Sequence, residues 1–399
     1  VKLAYFVLPH IGGTYSVFKS LREGLAPYGV DVRWLGMAYG GHKLHPDMRE
    51  EMNFGSIVEL PRDLTEMQCA QHLALELESQ GYDGIFINVL SDRIQTNIAR
   101  YLHKDIFRLM IVHNITPGTY AAAIAIRDYV HATIGVSERC RHDLVTRHGF
   151  PAERTFAIAN AVDTDRFIAV SRKKEKHEQP LRVLFLGRIE DDSKGVFWLP
   201  SILQALPPTV RLTIAGDGPD LPALKTRMAR QADQVDFRGA VRAEGIPALV
   251  AEHDVFVMPS RFEGFGMVLI EAMAGGCVPV ASNIHGVTDN IVDDSINGLL
   301  FPIGDCRRAA RAIQSLHDHR EKLREMSEAG REKAIGRFSV ASMGKRYHDV
   351  IHELAITRPR LAAPLSFDQW AMPHGLRPGI RSYVPRPLKN WLRVMRERL

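Results

Sequence analysis

The stretch from Asp254 to Val280 constrains this chain most. An apolar run, Val255-Phe-Val-Met258, leads into a glycine-bearing loop, Glu263-Gly-Phe-Gly266, and then into a helical pattern that carries Glu271. Two carboxylates therefore stand eight residues apart, one on a loop after a strand and one about a turn into a helix. A helix that starts on glycines exposes first-turn amides, which favour an anion such as a diphosphate. A carboxylate one turn further in accepts hydrogen bonds from sugar or ribose hydroxyls. In a parallel sheet this loop lies at the carboxyl end of the strands, where ligands bind.

Composition narrows the class. At 399 residues with 45% apolar side chains, the chain has material for two or three packed domains and is not a disordered one. No apolar run approaches the roughly 18 residues of a membrane helix. The opening VKLAYFVLPHIGG is a strand pattern and not a charged leader with an apolar segment, which leads us to expect a cytoplasmic protein. Cys69, Cys140, Cys277 and Cys306 are scattered with no C-x-x-C, a pattern of reduced thiols and not of a disulfide frame or a zinc site. Residues 361–399 hold seven Lys/Arg against two Asp/Glu, which accounts for the whole +5 of the chain. A neutral body with a basic tail is not a nucleic-acid-binding surface; it calls for an anionic neighbour at the tail alone.

Read in order, Lys2 to Leu8 is a buried strand. Gly12-Gly13 forms the loop after it, and Tyr15 to Pro27 has helical spacing, the opening of a doubly wound α/β domain. The glycine pair suits close backbone approach to a phosphate or a plain tight turn, and the residues leave both open. Residues 36–56 lack periodicity and read as a long loop. His42 and His45 within it read as solvated side chains before metal ligands. Phe107 to Val112 is a strand ending at His113, ahead of a Pro-Gly turn, which faces a ligand if the sheet is parallel. A charged stretch, SRKKEKHEQP, separates this half from a second α/β half that begins with the strand Leu181 to Leu186. Gly187-Arg188 follows, and Lys194-Gly195 is read as opening the next helix. A guanidinium and an ammonium there suit phosphate oxygens. At the far end Leu388, Trp391, Leu392, Met395 and Leu399 make a helical stripe with Lys389, Arg393 and Arg396 off it. Packing on the first domain or on a second subunit is the preferred reading of that stripe, ahead of an anionic membrane surface.

The segment RFEGFGMVLIEAMAGGCVPVAS resembles the E-x7-E signature of retaining glycosyltransferases, especially family 4. Gly187-Arg188 with Lys194-Gly195, the turn Gly216-Asp-Gly218-Pro219, Asn160-Ala-Val-Asp-Thr-Asp-Arg-Phe167 at a hinge and Asn297-Gly298-Leu299-Leu300 fit the same family over about residues 1–355. The family has glycine where Ala161 stands. The resemblance implies a GT-B fold: two Rossmann-like domains, 1–165 for the acceptor and 181–338 for a nucleotide sugar, facing across a cleft. A linker at 166–180, a helix at 339–360 that crosses back to the first domain, and a basic extension at 361–399 complete the layout. It implies retaining transfer of a hexosyl-type sugar from a nucleotide-diphosphate sugar to a glycan, lipid-linked or small-molecule acceptor, in cell-envelope polysaccharide or glycoconjugate synthesis. Arg188, Lys194, Glu263 and His113 become the catalytic set. Gly12, Gly13, Gly187, Gly264, Phe265, Gly266, Met267, Val268 and Glu271 become the donor site. No metal and no cofactor are expected, so Asp163-Thr-Asp165 is read as hinge and not as a metal-binding D-x-D. Peripheral membrane contact through the tail and a homodimer belong to the same set of expectations. Two alternatives stay open, a GT-B nucleotide-sugar epimerase and a non-catalytic nucleotide-sugar-binding subunit.

Overall fold

The structure is a computed structural model and describes residues 1–10, 13–41, 46–89, 92–170 and 180–377, with single positions 385, 388, 391, 394 and 395 beyond them. Two compact units divide the chain, one of Val1–Ala161 with Val340–Ser382 and one of Val162–Ser339 with Tyr383–Leu399.

Among the described residues, the first unit is built on seven strands: β1 Lys2–Phe6, β2 Asp31–Tyr39, β3 Gly55–Leu60, β4 Gly84–Asn88, β5 Phe107–Val112, β6 Ala132–Gly135 and β7 Thr155–Ala157. They run parallel in the order β3-β2-β1-β4-β5-β6-β7. The second unit has β8 Arg182–Leu186, β9 Arg211–Ala215, β10 Val235–Gly239, β11 Val255–Met258, β12 Val278–Ser282 and β13 Leu299–Phe301, parallel in the order β10-β9-β8-β11-β12-β13. Each unit thus repeats one doubly wound order, whose direction reverses between its first and fourth strands. Every residue of β4 and of β12 is buried. This is why these strands read as unbroken apolar runs, with helices covering both faces.

Helix starts follow from local chemistry. Thr65 and Gln68 make a reciprocal capping box ahead of Glu66–Ser79. Asp92 accepts from the amides of Ile94 and Gln95, and Ser137 from that of Cys140. Asp163 accepts from the Arg166 amide at the start of Thr164–Val170, so the first aspartate of the D-x-D pair serves as a helix cap.

Three local expectations are corrected. Residues 36–56 are not one loop: β2 continues to Tyr39, a 3-10 helix spans Pro46–Phe54, and β3 starts at Gly55. A three-residue turn has no 3.6-residue stripe to read. What holds it is tertiary, with the Trp34 indole donating to the Glu51 carbonyl and the Tyr15 hydroxyl to the Glu51 carboxylate. Lys194-Gly195 is split between two helical segments: Lys194 ends the single turn Asp191–Lys194, whereas Gly195, with φ of 61°, is both its left-handed cap and the start of Val196–Trp198, which runs on into Leu199–Gln204. Residues 166–170, expected in the linker, lie in the helix Thr164–Val170. Gly12, His42 and His45 fall outside the described residues, as do Leu392 and Leu399 of the far stripe, whereas Leu388, Trp391 and Met395 are described and exposed.

The helix Val340–Thr357 packs on Gly13–Leu25 within the first unit, and two glycines allow it. A Cβ on Gly344 would sit 2.1 Å from the Gly24 carbonyl oxygen, and one on Gly24 would sit 2.7 Å from that of Val340. Alanine is the better helix former by roughly 1 kcal/mol. At Gly344 the clash outweighs that gain, and Gly344→Ala is expected to destabilise by about 1–3 kcal/mol. Gly336→Ala, at an exposed helical glycine with open space around its Cβ direction, is expected to stabilise by about 0.5–1 kcal/mol. Urea unfolding of both variants beside the parent checks the opposite signs.

Candidate donor-binding site

In the second unit the loops after β8 and β11 leave from adjacent strands at the reversal point, and they are stitched together by backbone. A Cβ on Gly195 would lie 2.2 Å from the Pro259 carbonyl oxygen, so glycine is required there. The Arg261 amide donates to the Ser193 carbonyl at 2.8 Å. The Arg261 guanidinium donates to the Asp191 carbonyl at 2.8 Å and to the Asp191 carboxylate at 2.7 Å, while lying 4.0 Å over the Trp198 ring. The loop after β9 joins on the other side. Gly216, with φ of 139°, comes so close that a Cβ would be 1.8 Å from the Gly187 carbonyl oxygen, and one on Gly218 would be 2.3 Å from that of Ile189.

This frame brings Lys194 and Glu263 together. The ammonium is 2.6 Å from Glu263 Oε1, and the same oxygen accepts from the Ser260 hydroxyl at 2.7 Å. Ser260 and Glu263 are buried, and about a quarter of the Lys194 side chain stays exposed. Arg188 is on the same loop but extends into solvent, with Glu190 Oε1 3.7 Å away.

Gly264, Phe265 and Gly266 lead into the helix Met267–Ala274. Gly266, just before the first turn, adopts φ of 99° and has no side chain to cap the helix. The Phe265 ring is buried edge-on to Phe338, centroids 6.1 Å apart. Met267 and Val268 are half-buried, and Glu271 follows on the same helix. Surrounding protein raises the Glu271 carboxyl to about 7, with the Arg166 guanidinium offsetting part of the effect.

In the first unit Gly13 begins the helix after β1. His113 follows β5, its Nε2 2.8 Å from Asn88 Oδ1, and burial lowers its pKa to about 4. Sequence reading missed Ser260, Arg261, Asp191, Glu190 and Asn88. Only Ser260-Arg261 carried a signal, by directly preceding the two-carboxylate stretch.

The sequence model of the family described as Glycosyl transferases group 1 matches residues 180–319. The chain is 26% identical over 275 residues to an alpha-D-kanosaminyltransferase of Streptomyces kanamyceticus, spanning 66% of this chain and 70% of that one. It is 27% identical over 365 residues to the alpha-maltose-1-phosphate synthase of Mycolicibacterium smegmatis, spanning 82% and 91%. Anabaena HepE, solved with UDP and glucose, superposes with a TM-score of 0.71 at 20% identity, covering 88% of this chain and all of that one. Sucrose-phosphate synthase from Thermosynechococcus elongatus gives 0.71 at 19% identity, covering 89% and 99%. The fold is that of the GT-B glycosyltransferases. The chain is a glycosyltransferase.

The state of Glu271 is directly checkable. A carboxyl with a pKa near 7 in the folded state and near 4.5 in the unfolded one keeps its proton on folding between those values. Its contribution to stability is full below about pH 4.5 and is lost as the pH rises to 7. His113, lowered to about 4, acts in the opposite sense between pH 4 and 6.5. Comparison with Glu271→Gln isolates the carboxyl: the melting temperature of the variant relative to the parent should climb between pH 5 and 7.5. A flat difference would show an unperturbed carboxyl.

Proposed function

We propose that the protein is a retaining, family 4 type glycosyltransferase that moves a hexosyl-type sugar from a nucleotide-diphosphate sugar. The observation that supports this most is the Lys194–Glu263 pair at the reversal point of the second sheet, beside an uncapped helix start. The hard step is loss of the diphosphate from the anomeric carbon. Lys194, Arg188, the backbone at Gly187 and the amides of Gly264 to Val268 are assigned to the developing charge on that leaving group. Glu271 is assigned to the ribose hydroxyls and Glu263 to hydroxyls of the transferred sugar. His113 and Gly13 in the first unit are assigned to the sugar and the phosphate, with Gly12 beside Gly13 in sequence. Retention then follows from same-face attack by an acceptor hydroxyl whose proton passes to the leaving phosphate.

Fixed cations and amides perform the role a metal ion would take, so the reading is of metal-independent transfer. The acceptor is assigned to the first unit and is a glycan, a lipid-linked saccharide or a small glycoside, as in cell-envelope polysaccharide synthesis. Among the described residues no helix is long and apolar enough to cross a membrane. The basic residues of 361–399 are assigned to any approach to a lipid-linked acceptor.

Two measurements test this. UDP, GDP, ADP and their sugars are added one by one in a thermal-shift panel, with and without EDTA; one nucleotide should raise the melting point by mass action, unchanged by the chelator. Lys194→Gln keeps a hydrogen-bond donor to Glu263 and deletes the charge. It should melt near the parent and lose roughly 10²–10³-fold in kcat. Parental turnover in the folded variant, or sugar isomerisation without an acceptor, would sink the reading.

A further inference from the structure

Asn88 is the last residue of β4 and is 1% exposed. Its amide nitrogen donates to the Phe6 carbonyl at 2.8 Å. A carbonyl oxygen accepts and cannot donate, so this contact fixes which end of the amide is which. Oδ1 therefore faces His113 Nε2 at 2.8 Å, and the imidazole must donate there. A neutral imidazole carries one ring proton, so placing it on Nε2 leaves Nδ1 as a bare acceptor. Nδ1 has no protein hydrogen bond among the described residues. The groups that support the pair are uncharged. Tyr5 lies against Asn88, and Tyr347 lies near Tyr5, both fully buried. Burial keeps the ring neutral through the physiological range. The pair is held in register because the Val89 amide donates to the Ile111 carbonyl, two residues before His113.

We infer that Asn88 is a positioning residue that locks His113 with its proton on Nε2 and a lone pair on Nδ1, so that the substrate group meeting this ring is a hydroxyl or amine that donates a hydrogen bond, and not a phosphate or carboxylate. This rests on the assignment of His113 to the substrate. It defines the substrate feature read at this point as a polyol-type donor, such as a sugar hydroxyl. An anion at Nδ1 would face a lone pair, and the neutral ring has no second proton to offer it.

The test uses the full chain with ring-15N histidine, the His113 signals being assigned by their loss in His113→Leu. In the parent, Nε2 should carry the proton and Nδ1 should be bare. In Asn88→Leu the lock is gone, both tautomers should appear, and kcat/KM should fall about tenfold, the worth of one hydrogen bond of about 1.4 kcal/mol. Asn88→Asp keeps an acceptor in the same place and should retain the Nε2 proton. A parent proton on Nδ1, or an Nε2 signal unmoved in Asn88→Leu, overturns the assignment of Asn88. If the tautomer is as assigned but His113→Leu turns over like the parent, the substrate role of His113 fails, and the hydroxyl readout fails with it.

Discussion

A lysine ammonium 2.6 Å from a buried carboxylate is the contact on which the second unit's working surface depends. Pairing two charges out of water gains little net stability, because desolvation cancels much of the attraction. Removing one partner is another matter, since the survivor is left charged and poorly solvated. Here Ser260 supplies Glu263 with a second donor, and the exposed part of Lys194 keeps the ammonium in reach of water. The pair therefore sits near balance. On the proposed function, a diphosphate at Lys194 would offer more negative charge than one carboxylate and would draw the ammonium over at small cost, and Glu263, still bonded to Ser260, would be freed toward a sugar hydroxyl. The rigid loop frame matters because the reorganisation is confined to side chains: Gly195 against Pro259 and Gly216 against Gly187 leave the backbone no room to follow.

The first unit uses a buried charge differently. The Arg108 side chain is fully buried and, among the described residues, has no carboxylate partner. Its guanidinium donates to the carbonyls of Ala99, Tyr129, Leu102 and His103, which lie at or just past helix carboxyl ends. Those ends carry partial negative charge, so the site is electrostatically favourable although burial lowers the arginine to about 10. Arg108 thereby ties the segments that precede and follow β5 to the strand that delivers His113. The residues after Val340–Thr357 brace the same region from outside. The Ala371 amide donates to the Tyr101 hydroxyl, Phe367 stacks on the Tyr101 ring and Trp370 lies tilted against it. The Gly375 backbone lies against Ala121, where a Cβ would be 2.0 Å from the carbonyl oxygen.

Much of this architecture was legible in the sequence, for a physical reason. A strand buried on both faces reads as a nearly unbroken apolar run, so β5 and β11 could be read to the residue between turn signals. Lys194 and Glu263 were legible as chemistry because glycines mark where backbone must approach backbone or a ligand. Their meeting was not legible, since 69 positions separate them and only the strand order makes them neighbours. The 3-10 helix Pro46–Phe54 was misread because its three-residue turns show no 3.6-residue stripe, and the single turn Asp191–Lys194 was missed because it is too short to show a period. Arg108 was invisible for the same reason: nothing local distinguishes an arginine that pins helix ends from one in solvent.

Ser260 and Asn88 show a rule that neither the motif nor the spacing contains. Strands β4 and β11 are the fourth strands of the two sheets, and each lies beside its sheet's first strand at the reversal point. Asn88 ends β4, and Ser260 stands two residues past β11. Both are essentially buried, and each bonds a side chain of the proposed site, Asn88 to His113 and Ser260 to Glu263. The reversal point is where the sheet opens to a ligand, so the strand ending there must change from apolar core to polar surface within a residue or two. A short polar side chain makes that change with one or two hydrogen bonds. A longer one would fill the opening, and an apolar one would leave the functional group without its orienting partner. The same constraint that opens a ligand site in each doubly wound unit thus also selects a small, buried, hydrogen-bonding residue beneath it.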